Sequence, residues 1–210
     1  MREPLPATEP TVFLVDDDDA VRDALATLLG TVGLKVRDFP DARAFLAALD
    51  REALGCLILD VRMPQVSGLQ LQEQLTREGV DLPVIVITGH GDIDVCRRAF
   101  KGGATEFLTK PVDELALLEG VALGIRTHLA RRSRLAVTQE ARGAVAGLTA
   151  REREVLRLIV DGASNKQAAR ALGISVRTVE THRASLFEKL GAASLAQLVR
   201  VYLASLDEGP

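Results

Sequence analysis

Four chemically capable groups stand at the ends of short apolar runs. Asp16-Asp17-Asp18-Asp19 follows Thr11–Val15, Asp60 closes Cys56–Asp60, Thr88-Gly89 closes Pro83–Thr88, and Lys110-Pro111 follows Thr105–Leu108. Acids clustered beside apolar strands repel one another unless a cation or a partner neutralises them. Hard oxygen donors with room for water suit Mg²⁺ better than a transition metal, and no histidine or thiolate pair competes for the site. Asp60 can coordinate such an ion or act as a nucleophile toward phosphorus. Lys110 offers a point positive charge, and Thr88 a hydroxyl, to phosphoryl oxygens. This is equipment for phosphoryl transfer. Each residue alone has an ordinary use, as a helix cap, a solvated turn or a strand residue; only the four together point to chemistry.

The elements that must position them follow from hydrophobic spacing. A further run, Leu34–Arg37, joins the four above, and between the runs Val21, Leu25, Leu28, Leu29 and Val32, then Ala44, Phe45, Ala48 and Leu49, recur at helical spacing. Strand–helix alternation predicts a parallel sheet wrapped by helices, and Val84-Ile85-Val86-Ile87 is apolar throughout, as for a strand covered on both faces. Ligands of such sheets bind at the carboxyl ends of the strands, where the four groups lie. The expected fold is α/β plus all-α: a doubly wound, flavodoxin-like sheet of five parallel strands over 10–130, a linker over 131–146, and a four-helix unit over 147–210.

In that last segment Thr149-Ala150-Arg151-Glu152, Ser164-Asn165-Lys166-Gln167 and Ser194-Leu195-Ala196-Gln197 match the capping box, and Ser175 is a fourth cap. Gly162, Gly173 and Gly191 stand where the preceding helices should stop. The linker, with Arg131, Arg132 and Arg134, loses clear periodicity and reads as a solvated helix end or tether rather than a nucleic-acid contact. A pattern at helical spacing runs from Leu115 to about Ala130, and whether the linker continues it as one helix stays open.

Composition removes several classes. Aromatic residues are 3% of the chain, with no Trp, so a base-stacking platform or an aromatic sugar groove has little material. No apolar run approaches the ~20 residues a membrane helix needs, and Met1-Arg2-Glu3-Pro4 lacks a signal peptide's apolar stretch, so a soluble cytoplasmic protein is expected. The segment to about Pro10 reads as loose. Cys56 and Cys96 form neither a disulfide framework nor a zinc spacing and read as small buried hydrophobes. The net charge of −3 divides into −8 over 1–130, +3 over 131–146 and +2 over 147–210. An acidic front suits a cation, and a basic back suits a polyanion.

Asn165–Leu172, Gly173 and Val176–Leu190 supply the order helix, turn, helix that enters a DNA major groove. At 100° per residue Val179, Leu186 and Leu190 share one side, with Phe187 about 80° away. Arg177, Thr181, Ala184 and Glu188 face the other way, flanked by Glu180 and Ser185. Glu180 can accept from a cytosine amine, Thr181 can meet either base edge, and Ala184 suits a thymine methyl. Arg177, Lys166 and Lys189 are placed for phosphates, and Arg183 can reach one by extending its stem. His182, at the core-side boundary, reads as packing or capping.

The pattern Val15-Asp16-Asp17, Asp60-Val61-Arg62-Met63-Pro64 with Ser67-Gly68, Thr88-Gly89-His90-Gly91-Asp92 and Phe107-Leu108-Thr109-Lys110-Pro111 resembles the receiver domain of two-component response regulators. Leu148-Thr149-Ala150-Arg151-Glu152, Ser164-Asn165-Lys166-Gln167-Ala168-Ala169 and Ser175–Arg183, including Thr178, with Glu188-Lys189-Leu190-Gly191, resemble the LuxR-type helix-turn-helix. Together they are similar to the NarL/FixJ class, most closely its FixJ branch. The resemblance implies that Asp60 accepts a phosphoryl group from a sensor histidine kinase. It implies Mg²⁺ held by Asp16, Asp17, Asp60 and the Arg62 carbonyl, with Asp18 joining through water left open. Lys110 then pairs with the phosphoryl group, Thr88 moves toward it, Phe107 rotates as the switch, and the Lys110–Pro111 bond is cis.

The implied partners are the kinase, double-stranded promoter DNA, a second copy on phosphorylation and, further, RNA polymerase. Arg62 and His90, two positions past Asp60 and Thr88, are expected to limit water access to the phosphoryl group; His90 is not expected to bind metal. Two other readings fare worse. A phosphatase using Asp60 as nucleophile would want a second carboxylate two residues on, where Arg62 stands. A protein- or RNA-binding module would not need the exposed Arg177–Glu188 face.

Overall fold

The computed structural model describes residues 9–89 and 91–207. Residues 1–8, which carry most of the segment read as loose, and His90 lie outside them. The first part of the chain alternates β1 (Thr11–Val15), α1 (Asp19–Thr31), β2 (Lys35–Phe39), α2 (Ala42–Ala48), β3 (Gly55–Asp60), α3 (Gly68–Arg77), β4 (Val84–Thr88), α4 (Ile93–Lys101) and β5 (Ala104–Thr109). The strands pair in parallel in the order β2-β1-β3-β4-β5. Chain direction across the sheet reverses between β1 and β3, and the ends of those two strands carry Asp16 and Asp60. That reversal opens the crevice where such sheets bind ligands.

Successive strand residues point to opposite faces, and on β1, β3 and β4 both faces are buried. Val12, Leu14, Ile58, Ile85 and Ile87 pack with Leu25 and Leu29 of α1 and with Leu117 and Val121. Phe13, Val15, Leu57, Leu59 and Val86 pack on the other side with Phe45, Leu71, Leu75 and Ala99. Apolar runs are therefore what these three central strands require, since a polar residue on either face would lose its water, whereas the edge strand β2 keeps Lys35, Arg37 and Asp38 exposed. Cys56 is buried among these residues, and burial pushes its thiol up to about 12; Cys96 is half-buried and free.

The helix expected from Leu115 is α5, Glu114–Ala146, and it continues through the whole segment read as a linker. Compact packing divides the chain between Arg131 and Arg132. Before that point Leu117, Val121 and Ile125 are buried in the sheet domain. Beyond it Ala144 and Val145 pack against the C-terminal core, with Thr138 and Ala141 also buried. The arginines of this stretch have structural partners: Arg134 meets the Asp207 carboxylate at 2.6 Å, and Arg142 donates to the carbonyls of Ser205 and Asp207. These two meet the end of the helix that closes at Leu206, where orphan carbonyls attract cations, while Arg131 pairs with Asp81 at 3.0 Å.

The C-terminal unit adds α6 (Ala150–Val160), α7 (Asn165–Leu172), α8 (Val176–Lys189) and α9 (Leu195–Leu206) around Val155, Leu156, Ile159, Val179, Leu186 and Leu198. Thr149 and Ser164 form the expected reciprocal capping boxes, and Ser175 and Ser194 cap α8 and α9. The Ser194 box differs from expectation: the Gln197 side chain accepts from Ala193 N–H, one residue before the cap. Gly173 ends α7 at φ +64°, which opens the turn into α8 without a Cβ penalty. Among the described residues no helix is long and apolar enough to cross a membrane.

Candidate functional site

Three of the sequence-selected side chains meet at the carboxyl ends of β1, β3 and β5. Lys110 Nζ lies 2.6 Å from Asp16 Oδ2 and 2.8 Å from Asp60 Oδ1. Both acids are buried, at 0% and 3% exposure, while the lysine side chain keeps 23%. The backbone fixes the remaining oxygens: Asp18 N–H donates to Asp16 Oδ1 at 3.0 Å and Arg62 N–H to Asp60 Oδ2 at 2.6 Å. Gly68 makes this loop possible, because a Cβ there would stand 2.1 Å from the Asp60 carbonyl oxygen. The Lys110–Pro111 bond is cis, as the resemblance implies.

Two buried carboxylates thus share one ammonium. Burial raises the Asp60 pKa above its ordinary 3.8, and the Asp16 charge adds to the rise against the opposing pull of Lys110. Burial works against the Lys110 charge, but hydrogen bonds to Asp16 and Asp60 outweigh it and hold its pKa above the usual lysine value. A cluster with net charge −1 and only oxygen donors fits a small hard cation. Among the described residues no three His, Cys, Asp or Glu side chains are gathered as a metal-holding group. Lys110 sits between Asp16 and Asp60, and Asp17 faces solvent. Asp18 serves as the N-cap of α1, accepting from Ala20 and Val21.

Thr88 is fully buried at the end of β4, and its carbonyl accepts from Lys110 N–H at 2.8 Å. Phe107 pairs with Val86 in the β4–β5 register and is half-buried against the core. The Arg62 side chain is exposed.

On α8 the structure exposes Arg177, Thr178, Glu180, Thr181, Ala184 and Glu188, buries Val179, Leu186 and Leu190, and half-buries Phe187, His182 and Arg183. Lys166 is exposed at the start of α7. Two residues depart from expectation. Ser185 turns inward and donates to Glu152 at 2.7 Å. Lys189, read as a phosphate contact, places its ammonium 2.7 and 2.8 Å from the two Glu152 oxygens. Glu152 also accepts from Thr149 N–H and Oγ1, so this lysine is the counter-ion of a buried acid. Hydrogen bonds from Lys189, then Ser185 and Thr149, lower the Glu152 pKa from its ordinary 4.5 to about 2. The capping box announced the Thr149 contact; the other two come from α8 and left no local signal.

These two constellations have counterparts in known proteins. Residues 12–122 match the response regulator receiver domain and residues 146–202 the bacterial regulatory proteins of the luxR family. The chain therefore belongs to the two-component response regulators that join a receiver to a LuxR-type DNA-binding domain and control transcription. It is 47% identical over 199 residues to the transcriptional regulatory protein FixJ of Azorhizobium caulinodans, with 91% of each chain covered. It is 42% identical over 190 residues to the response regulator protein TodT of Pseudomonas putida, covering 90% of this chain and 84% of that one. The solved structure of the response regulator StyR matches with a TM-score of 0.84 at 44% identity, over 92% of this chain and 98% of that one.

Proposed function

We propose that Asp60 accepts a phosphoryl group from a sensor histidine kinase, and that the acyl phosphate drives receiver dimerisation and sequence-specific binding to duplex promoter DNA. The observation that carries this is the buried Asp16–Lys110–Asp60 cluster at the strand reversal. The P–N bond to the donor histidine breaks as an Asp60 oxygen forms the new P–O bond. Lys110 balances charge on the phosphoryl oxygens, and the Thr88 hydroxyl draws toward them. Phe107 follows from its half-buried position and reshapes the surface of α4 and β5. Asp16, Asp17, Asp60 and the Arg62 carbonyl would hold Mg²⁺, which neutralises charge on the transferring group.

The chain takes one phosphoryl group and releases it slowly to water, so it is not a turnover enzyme. Dimerisation sets two α8 helices on half-sites about one helical turn, ~34 Å, apart. Arg177, Thr178, Glu180, Thr181, Arg183 and Ala184 read bases and phosphates there, with Lys166 on the backbone. RNA polymerase is a partner of the DNA-bound dimer, in the cytoplasm.

The test is intact mass and solution size after incubation with Mg²⁺ and acetyl phosphate. One phosphoryl addition with a shift toward dimer, both lost in Asp60→Asn, is the expected result. Addition without dimerisation overturns the dimer step, and an adduct that survives Asp60→Asn overturns the assignment of Asp60.

A further inference from the structure

Arg22 lies one turn into α1 with its side chain only 11% exposed, an unusual place for a guanidinium on a surface helix. Its donors reach three elements. Nη1 donates to the Asp16 carbonyl oxygen at 2.7 Å, Nη2 bonds the Asp19 carboxylate, and Nε lies 3.4 Å from Asp38 Oδ2 at the end of β2.

The Asp16 carbonyl contact matters because of what holds the rest of that residue. Asp16 N–H donates to the Phe39 carbonyl, Oδ1 accepts from Asp18 N–H, and Oδ2 takes Lys110. With Arg22 on its carbonyl, every polar group of Asp16 is bonded. Three of the four bonds come from β2, the turn after β1 and α1, and the fourth aims the carboxylate at Lys110 and Asp60. Arg22 is thus the clamp that ties β1, the start of α1 and β2 around the turn carrying Asp16 and Asp17. Its own charge is balanced by Asp19 and Asp38, so it acts by geometry rather than by adding positive field to the site.

We infer that Arg22 is a positioning residue for the phosphoacceptor site, setting Asp16 and Asp17 for cation binding without touching the reacting atoms. This rests on Asp60 being the phosphoacceptor. Partners behind a metal's ligands change metal affinity by about 10–100-fold when removed. Lysine in its place keeps the charge but cannot span three acceptors from one planar fork.

The test uses the full chain as wild type, Arg22→Gln, Arg22→Lys and Asp60→Asn. Phosphoryl incorporation from acetyl phosphate is followed against Mg²⁺ concentration, and the thermal shift caused by Mg²⁺ alone is measured without a phosphodonor. The expected result for Arg22→Gln is a half-saturating Mg²⁺ concentration about tenfold or more higher, a maximal rate within about threefold of wild type, and a reduced Mg²⁺ thermal shift. Arg22→Lys falls between the two and remains the measurable variant if Arg22→Gln does not fold. Half-saturation at the wild-type concentration in Arg22→Lys, or in a folded Arg22→Gln, overturns the inference even if the fold is less stable. An adduct on Asp60→Asn overturns the phosphoacceptor reading instead, so the two failures are distinct.

Discussion

Each domain of this regulator buries a carboxylate against a lysine, and the two sites are opposites. In the receiver, Asp16 and Asp60 share Lys110, and Asp60 is held above its ordinary pKa by burial and by the Asp16 charge. In the C-terminal domain Glu152 has Lys189, Ser185 and Thr149 to itself and is held near 2. Every carboxylate oxygen is bonded in both clusters, but one sets two acids against a single lysine and the other one acid against one lysine. Uncompensated negative charge suits a cation, whereas a neutralised pair fixes the packing of α6 on α8. Similar residue types, differently counted, leave one cluster with excess negative charge and the other neutral.

Exchanging each lysine for methionine separates the two sites most strongly. Lys110→Met should slow phosphoryl incorporation by about 100-fold or more, the scale on which one stabilising donor acts in a transition state. Lys189→Met should leave that rate unchanged and instead lower the unfolding midpoint of the C-terminal domain. Equal effects on the rate would end the contrast.

Next is Glu152→Gln, which leaves Ser185 and Lys189 without their acceptor charge and should cost about 1–3 kcal/mol of domain stability. The chain has one Tyr, Tyr202, packed against the C-terminal core, and no Trp, so Tyr fluorescence in urea reports on this domain alone.

The two clusters should also respond to pH with opposite sign. Glu152, with its pKa depressed, contributes stability that is complete above about 4.5 and is lost as pH falls toward about 2. Glu152→Gln should flatten that acid slope. Asp60, with its pKa raised, contributes most below 3.8 and loses that contribution as pH rises through its folded value. Asp60→Asn should therefore raise the receiver's thermal midpoint at neutral pH, with the gap closing in acid. The smallest effect concerns DNA: Arg177→Ala should reduce the salt dependence of operator binding by about one counterion, while Lys189→Met leaves that slope as it is.

Much of this was legible in the chain. The acids, Thr88 and Lys110 fall at strand ends because local apolar runs define the strands, and parallel sheets collect strand ends into one crevice. The caps at Thr149, Ser164 and Ser175 are local hydrogen bonds, so their residues sit three apart in sequence. Arg22 was not legible, since its acceptors lie on three elements and an arginine among Val21 and Leu25 reads as an exposed helical residue. Nor was the destination of Lys189, because helical periodicity gives the direction of a side chain but not the charge that waits across the packing.

The chain's own pattern thus carried the alternation of strands and helices, the two domains, and Asp16, Asp60 and Lys110 as residues that meet. Tertiary structure decided that residues 131–146 are helical, that Asp17 stays in water while Asp16 and Asp60 share Lys110, and that Glu152 captures Lys189 and Ser185. The two lysine pairings among them join residues 37 and 94 apart. Such pairings are set by how whole elements pack, and only the packed chain decides which buried charge obtains which partner.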